Sequence, residues 1–263
     1  MSFFYAKSRI CSFIVNNFIG KNDNLKIVEQ RGIFTIFQHN TDMSVNRMEA
    51  QTKYFMQQMG VVPKQVAITL QDNAIRLKPG LMQFMFGNIQ QTSGVTGVSD
   101  LMGKFVKAKM TGDTPIKPLY RGSGVLVTEP SYYFPIIEDA REWGGIVCDD
   151  GMFIACDDEV KDHVVMRSNL SSAAFGGEGL FNLCLEGNGL VVLNSPCPKE
   201  ELYEIILQND VVRIDGNHAV CWSKSLEFTV EKSGKSLIGS VASGESLVNV
   251  YRGTGKILMS PLC

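Results

Sequence analysis

Two glycines separated by one residue recur three times in this 263-residue chain, each time between β-branched or aromatic runs and each time followed by a proline. The copies are Leu119-Tyr120-Arg121-Gly122-Ser123-Gly124-Val125-Leu126-Val127 before Pro130, Cys184-Leu185-Glu186-Gly187-Asn188-Gly189-Leu190-Val191-Val192-Leu193 before Pro196, and Val250-Tyr251-Arg252-Gly253-Thr254-Gly255-Lys256-Ile257-Leu258 before Pro261. Their first glycines lie 187 − 122 = 65 and 253 − 187 = 66 residues apart. Repetition at a fixed period signals one supersecondary unit used several times, and units too small to bury a face alone must share a core. The expected fold is therefore mainly β: three pseudo-repeats of antiparallel hairpins in a single domain over 1–263, arranged with pseudo-threefold symmetry. The repeats are expected at 61–130, 131–196 and 197–263, after an N-terminal segment 1–60.

Ser-Gly, Asn-Gly and Thr-Gly supply the positive φ that tight hairpins require. Gly122, Gly124, Gly187, Gly189, Gly253 and Gly255 accordingly read as structural turns, and so do Gly177 and Gly244 upstream of the second and third copies. A phosphate-binding fingerprint would need a third glycine and a following helix, whereas Val125-Leu126-Val127 is strand-like. Asp72-Asn73, Asp150-Gly151 and Asp215-Gly216 interrupt apolar runs and read as further hairpin turns. The first repeat carries an insertion, assigned to Ser99–Met110 as a short amphipathic helix.

Ahead of the repeats, Leu25–Gln38 alternates as a hairpin around Arg31-Gly32. An amphipathic helix is predicted over about 42–59: Asp42 can accept the first free amides, Gly60 ends the helix, and Val45, Met48, Thr52, Phe55, Met56 and Met59 follow a three-to-four residue period. Its methionine-rich stripe reads as core packing, with an oligomer contact as the alternative.

Twenty-five basic against 27 acidic residues, a net charge of −2, leave no clustered positive charge for phosphate backbones, so no nucleic-acid partner is expected. No apolar stretch approaches the ~18 residues of a spanning helix, and no integral membrane insertion is expected. Residues 1–22 contain no acid but also lack a secretory cleavage site, and the reading is a cytoplasmic protein. Seven widely spaced cysteines without a C-x-x-C pattern read as free buried thiols, Cys156 and Cys221 among them.

Catalytic chemistry leaves no signature. His39, His163 and His218 are isolated, with no second ligand at a recognised metal spacing, so no metal or other cofactor is expected. No Gly-x-Ser-x-Gly elbow occurs, and Gly234-Lys235-Ser236 lacks the earlier glycine of a phosphate loop, position 229 being Thr229. The acidic groups Asp149-Asp150 and Asp157-Asp158-Glu159 offer oxygen ligands for a hard cation, but a strand between them separates them by ~20 Å, and they read as a solvated sheet edge.

Leu77-Lys78-Pro79-Gly80-Leu81-Met82, Tyr133-Phe134-Pro135-Ile136 and Gly177-Glu178-Gly179-Leu180-Phe181, leading into Gly187-Asn188-Gly189-Leu190-Val191-Val192-Leu193, resemble the mitochondrial-biogenesis AIM family, the altered-inheritance-of-mitochondria type once known only as a domain of unknown function. The resemblance runs from about Val66 to Pro261. It implies a β-rich TRAP-like body, bacterial members in the cytoplasm, a eukaryotic member that supports mitochondrial inner-membrane organisation, and no catalytic residues. The TRAP-like grouping raises RNA or tryptophan binding only by analogy, and for RNA the absence of a stripe of alternating bases and aromatics speaks against it.

Two function classes follow. The first is a non-catalytic assembly or scaffold protein that self-associates and meets an unidentified protein partner. The alternative is a small-molecule binder that uses clefts between the repeats, and the distinguishing feature is whether polar groups converge in an apolar pocket.

Overall fold

The computed structural model of the chain describes residues 21–43, 46–92, 117–166, 181–231 and 248–262. The expected helix at Ser99–Met110 and the turns at Gly177 and Gly244 lie outside these residues. In chain order the elements are β1 (Leu25–Arg31), β2 (Phe34–His39), α1 (Ala50–Gln58), β3 (Lys64–Leu77), β4 (Met82–Thr92), β5 (Leu119–Thr128) and β6 (Phe134–Asp139). They continue with β7 (Ile146–Cys148), β8 (Phe153–Asp157), β9 (Val160–Met166), β10 (Phe181–Gly187), β11 (Leu190–Ser195), β12 (Tyr203–Asp215), β13 (Ala219–Ser223), β14 (Glu227–Glu231) and β15 (Val248–Met259). The chain is mainly β, as the repeats predict, with one α-helix among the described residues.

Contacts divide the described residues into two compact units, one of residues 21–92 and 117–137 and one from Glu138 onward. In the first unit, antiparallel strands run in the order β1-β2-β3-β5-β4. The hairpin expected around Arg31-Gly32 is present as β1-β2, with Gly32 at φ 59°. Phe37, Ala67, Val125 and Val127 form a buried cluster that Leu25, Ile27 and Phe84 extend. Alternating apolar residues on neighbouring strands thus face one side. Lys64 is buried here: its Nζ donates to the Val62 carbonyl at 3.0 Å and lies 3.7 Å from the centre of the Phe134 ring, and burial lowers its pKa.

The second unit carries an antiparallel order β12-β15-β13-β7-β10-β9, with β14 also on β15, and the antiparallel pair β8-β11 outside that order. Directly opposed residues His163, Cys184, Val147, Trp222, Ile257 and Ile205 form one row across six strands. The core builds on that face from Val147, Cys184, Leu207, Ile214, Trp222, Leu226, Tyr251 and Ile257.

The Gly-x-Gly pairs correct the hairpin expectation. Gly122 and Gly124 lie inside β5, and Gly253 and Gly255 inside β15; only Gly187 and Gly189 stand at a strand break, between β10 and β11. For Gly122, Gly124 and Gly187 close backbone approach is the physical reason. A Cβ on Gly122 would overlap the Asn88 carbonyl of β4, one on Gly124 the Phe86 carbonyl, and one on Gly187 the Glu159 carbonyl.

The aspartate turns need the same correction. Asp72 does not turn a hairpin; it sits with φ 58° at an irregularity within β3. Asp150-Gly151 forms a short 3-10 turn between β7 and β8, which pair with different strands. Asp215-Gly216 leads from β12 to β13, both of which pair with β15 and not with one another. The true counterpart of Asp72 is Asn209, at φ 54° in the β12 irregularity.

A common motif underlies these placements: two successive strands flank a central one that carries the Gly-x-Gly. β5 lies between β3 and β4, and β15 lies between β12 and β13. In the first and third copies the middle residue of the glycine pair meets the irregularity opposite. Ser123 Oγ accepts from the Asp72 backbone N–H, and Thr254 Oγ1 accepts from that of Asn209, both at 3.0 Å. In the second copy a different bond holds the residue after the pair: the Asp157 carboxylate accepts from the Leu190 N–H at 2.7 Å.

Helix α1 is shorter than predicted and begins later. Asn46 Oδ1 accepts from the Met48 N–H at 3.1 Å and so turns the chain ahead of the helix, whereas Asp42 pairs with Lys53 at 2.9 Å and accepts from the Tyr132 hydroxyl at 3.4 Å. Its end is as expected: Gly60 at φ 77° closes a Schellman motif, with Gly60 N–H donating to Gln57 and Val61 N–H to Met56. The stripe, however, is not core. No α1 residue is buried, and Met48 and Met59 are 91% and 79% exposed.

Candidate functional site

One concave site in the second unit joins aromatic and amide groups. Trp222 of β13, Phe228 of β14 and Tyr251 of β15 meet with ring centres 5.1–5.2 Å apart, and Trp222 and Tyr251 are buried. They line a cleft of about 260 Å³ together with Asp149, Asn182, Asn217 and Asn249. Strand topology explains the convergence. β13 and β14 pair with different stretches of β15, so residues distant in sequence are adjacent there. Asn249 Nδ2 donates to the Gly216 carbonyl at 2.8 Å, and Asp149 Oδ1 accepts from the Gly151 N–H at 2.8 Å, which fixes both side chains.

Aromatic faces stack on flat or carbon-rich ligand surfaces, and amides both donate and accept hydrogen bonds. A cleft with this lining can offer a small polar molecule both apolar contact and amide hydrogen bonds.

A second grouping lies on the row that crosses the sheet. His163 on β9 faces Cys184 on β10, and Glu186 follows two residues on, hence on the same face. Their ligand atoms all lie within 4.8 Å of one another, with His163 exposed, Cys184 buried and Glu186 half-buried. The Cys184 thiol donates to Glu186 Oε1 at 3.7 Å, and Lys224 forms an ion pair with the same carboxylate oxygen. Burial and then the Glu186 charge push the Cys184 thiol up to about 12, whereas Lys224 holds Glu186 below the usual carboxylate range. Sequence spacing did not reveal this group because its histidine comes from the neighbouring strand; the period-two Cys184-x-Glu186 was the one available signal.

The remaining predicted features have structural roles where they are described. Asp149 and Asp157 each hold a turn through a backbone amide. Cys156 and Cys221 are buried, as expected, and burial raises the Cys221 pKa further, with Cys148 beside it.

The sequence model of the mitochondrial biogenesis AIM24 family matches residues 56–262. The chain belongs to that family. The AIM24 match spans both units and all three Gly-x-Gly pairs. An uncharacterized protein of Streptococcus pyogenes is 27% identical over 198 residues, covering 72% of this chain and 77% of that protein. The crystal structure of a Streptococcus pyogenes protein superposes with a TM-score of 0.58 at 20% identity, over 90% of this chain and 94% of that one. That likeness supports the β fold and no more. Among the described residues, no helix is long and apolar enough to cross a membrane.

Proposed function

We propose that this AIM24-family protein is a non-catalytic assembly protein whose first contact is with a second copy of itself. The observation that carries the reading is α1. An isolated helix of nine residues is marginal in water and ordinarily owes its stability to packing of one face. Here no residue of that helix is buried within its own chain, and Met48, Phe55 and Met59 present apolar groups to its surroundings. A net charge of −2 on 263 residues gives two copies little reason to repel one another. Five described cysteines are buried thiols, which suits a reducing cytoplasm.

Light scattering on the chromatographed protein tests it. The wild type is expected at an integer multiple of the chain mass, and the triple variant Met48→Ser, Phe55→Ser, Met59→Ser at the mass of one chain, with its β-sheet circular dichroism intact. A wild type of one chain mass at all micromolar concentrations contradicts the proposal.

A second reading has its own observation. The aromatic-lined cleft with Asn182, Asn217 and Asn249 has the convergent polar groups that a small-molecule binder needs.

A further inference from the structure

We propose that His163, Cys184 and Glu186 form a binding site for Zn²⁺ on the β9-β10 ribbon. The three donors are an imidazole, a thiol and a carboxylate, the set that zinc uses, and a thiol–imidazole pair selects against Mg²⁺ and Ca²⁺. Their ligand atoms are already mutually within 4.8 Å, and the thiol and carboxylate are 3.7 Å apart, near the spacing of two donors on one tetrahedral ion.

The site is placed by backbone register and not by flexible loops. His163 and Cys184 are directly opposed partners on antiparallel strands, and Glu186 shares their face because side chains repeat every two residues. Cys184 is anchored in the core beside Val147 and Trp222, while the exposed His163 and half-buried Glu186 leave an approach from solvent. Three protein donors leave the fourth tetrahedral position to water.

Lys224 occupies the place that the ion would take in the charge balance. Without metal, its ammonium pairs with Glu186. Binding forms the Zn–S bond as the Cys184 S–H proton leaves to solvent. Around the thiol stand His163 on β9, Glu186 on β10 with Lys161 directly opposite it on β9, Lys224 after β13, and the apolar Val147 of β7.

The experiment is a titration of the full chain, reduced and metal-free, with Zn²⁺ followed by calorimetry and with Co²⁺ followed by its thiolate charge-transfer absorption. One equivalent of Zn²⁺ and a Co²⁺-thiolate band are expected. Cys184→Ser should abolish the band, and the exposed His163→Ala, which leaves the core untouched, should weaken binding at least about tenfold. Lys224→Met should tighten binding by releasing Glu186. No saturable binding by the folded wild type overturns the proposal, and so does binding unchanged in both Cys184→Ser and His163→Ala.

Discussion

The hydroxyl of Ser123 accepts a hydrogen bond at 3.0 Å from the backbone N–H of Asp72, a residue with φ 58° on the adjacent strand. Thr254 and Asn209 repeat the relationship at the same distance, with φ 54° at Asn209. A left-handed residue without glycine costs roughly 1–2 kcal/mol for ordinary side chains and less for Asp or Asn, which helps to explain why those two types stand here. Ser123→Ala and Thr254→Val should each lower stability by about 1 kcal/mol in urea unfolding, the net value of one hydrogen bond. Asp72→Gly should cost less than Asp72→Val, whose branched side chain resists a positive φ.

Alanine substitutions at glycine should sort by what faces the missing side chain. Gly187→Ala drives a Cβ into the Glu159 carbonyl, so loss of soluble folded protein is expected. Gly253→Ala, whose nearest neighbour would be the Ser225 carbonyl at 3.5 Å, has only its φ of 118° against it and should fold. Soluble yield and melting temperature of the two variants measure the contrast.

Asp157 provides a pH signature. Burial raises its pKa above the ordinary 3.8 and outweighs the bond from the Leu190 N–H, which lowers it. The folded chain then holds this proton more tightly than the unfolded chain, so this residue's contribution to stability falls as pH rises from 3.8 through the folded value. Asp157→Asn keeps an oxygen for Leu190 without the buried charge. It should be at least as stable as the wild type at pH 7, with the advantage disappearing below pH 3.8; melting curves across that range check it.

Ligand entry to the cleft should be visible through Trp222. The only other tryptophan is Trp143, so Trp143→Phe isolates the signal. Titration of that variant with free amino acids and monosaccharides should shift Trp222 emission for one class, and Asn249→Ala should weaken the response. Emission unchanged by every compound would remove the small-molecule reading.

Much of the fold was legible because glycine pairs and apolar alternation are local. The β1-β2 hairpin and the Gly60 helix end appeared where turn and cap chemistry put them. What failed was pairing. Gly122 in β5 satisfies the same local preference whether the chain turns or a neighbouring carbonyl presses close, and only the register with Asn88 and Ile89 decides. The polar interruption Asp72-Asn73 likewise fits a hairpin or a bulge. The α1 stripe was legible as amphipathic, but periodicity does not say what covers the apolar side. Both candidate sites join residues from separate strands, Trp222 with Tyr251 and His163 with Cys184, and no spacing along the chain encodes that adjacency.

Hydrogen exchange at the amides of Ala50–Gln58, followed as the protein is diluted, tests the assembly proposal most directly. If a second copy covers α1, these amides are protected at high concentration and lose protection together as the mass falls to that of one chain. Protection that stays constant through dilution to the single chain would contradict it.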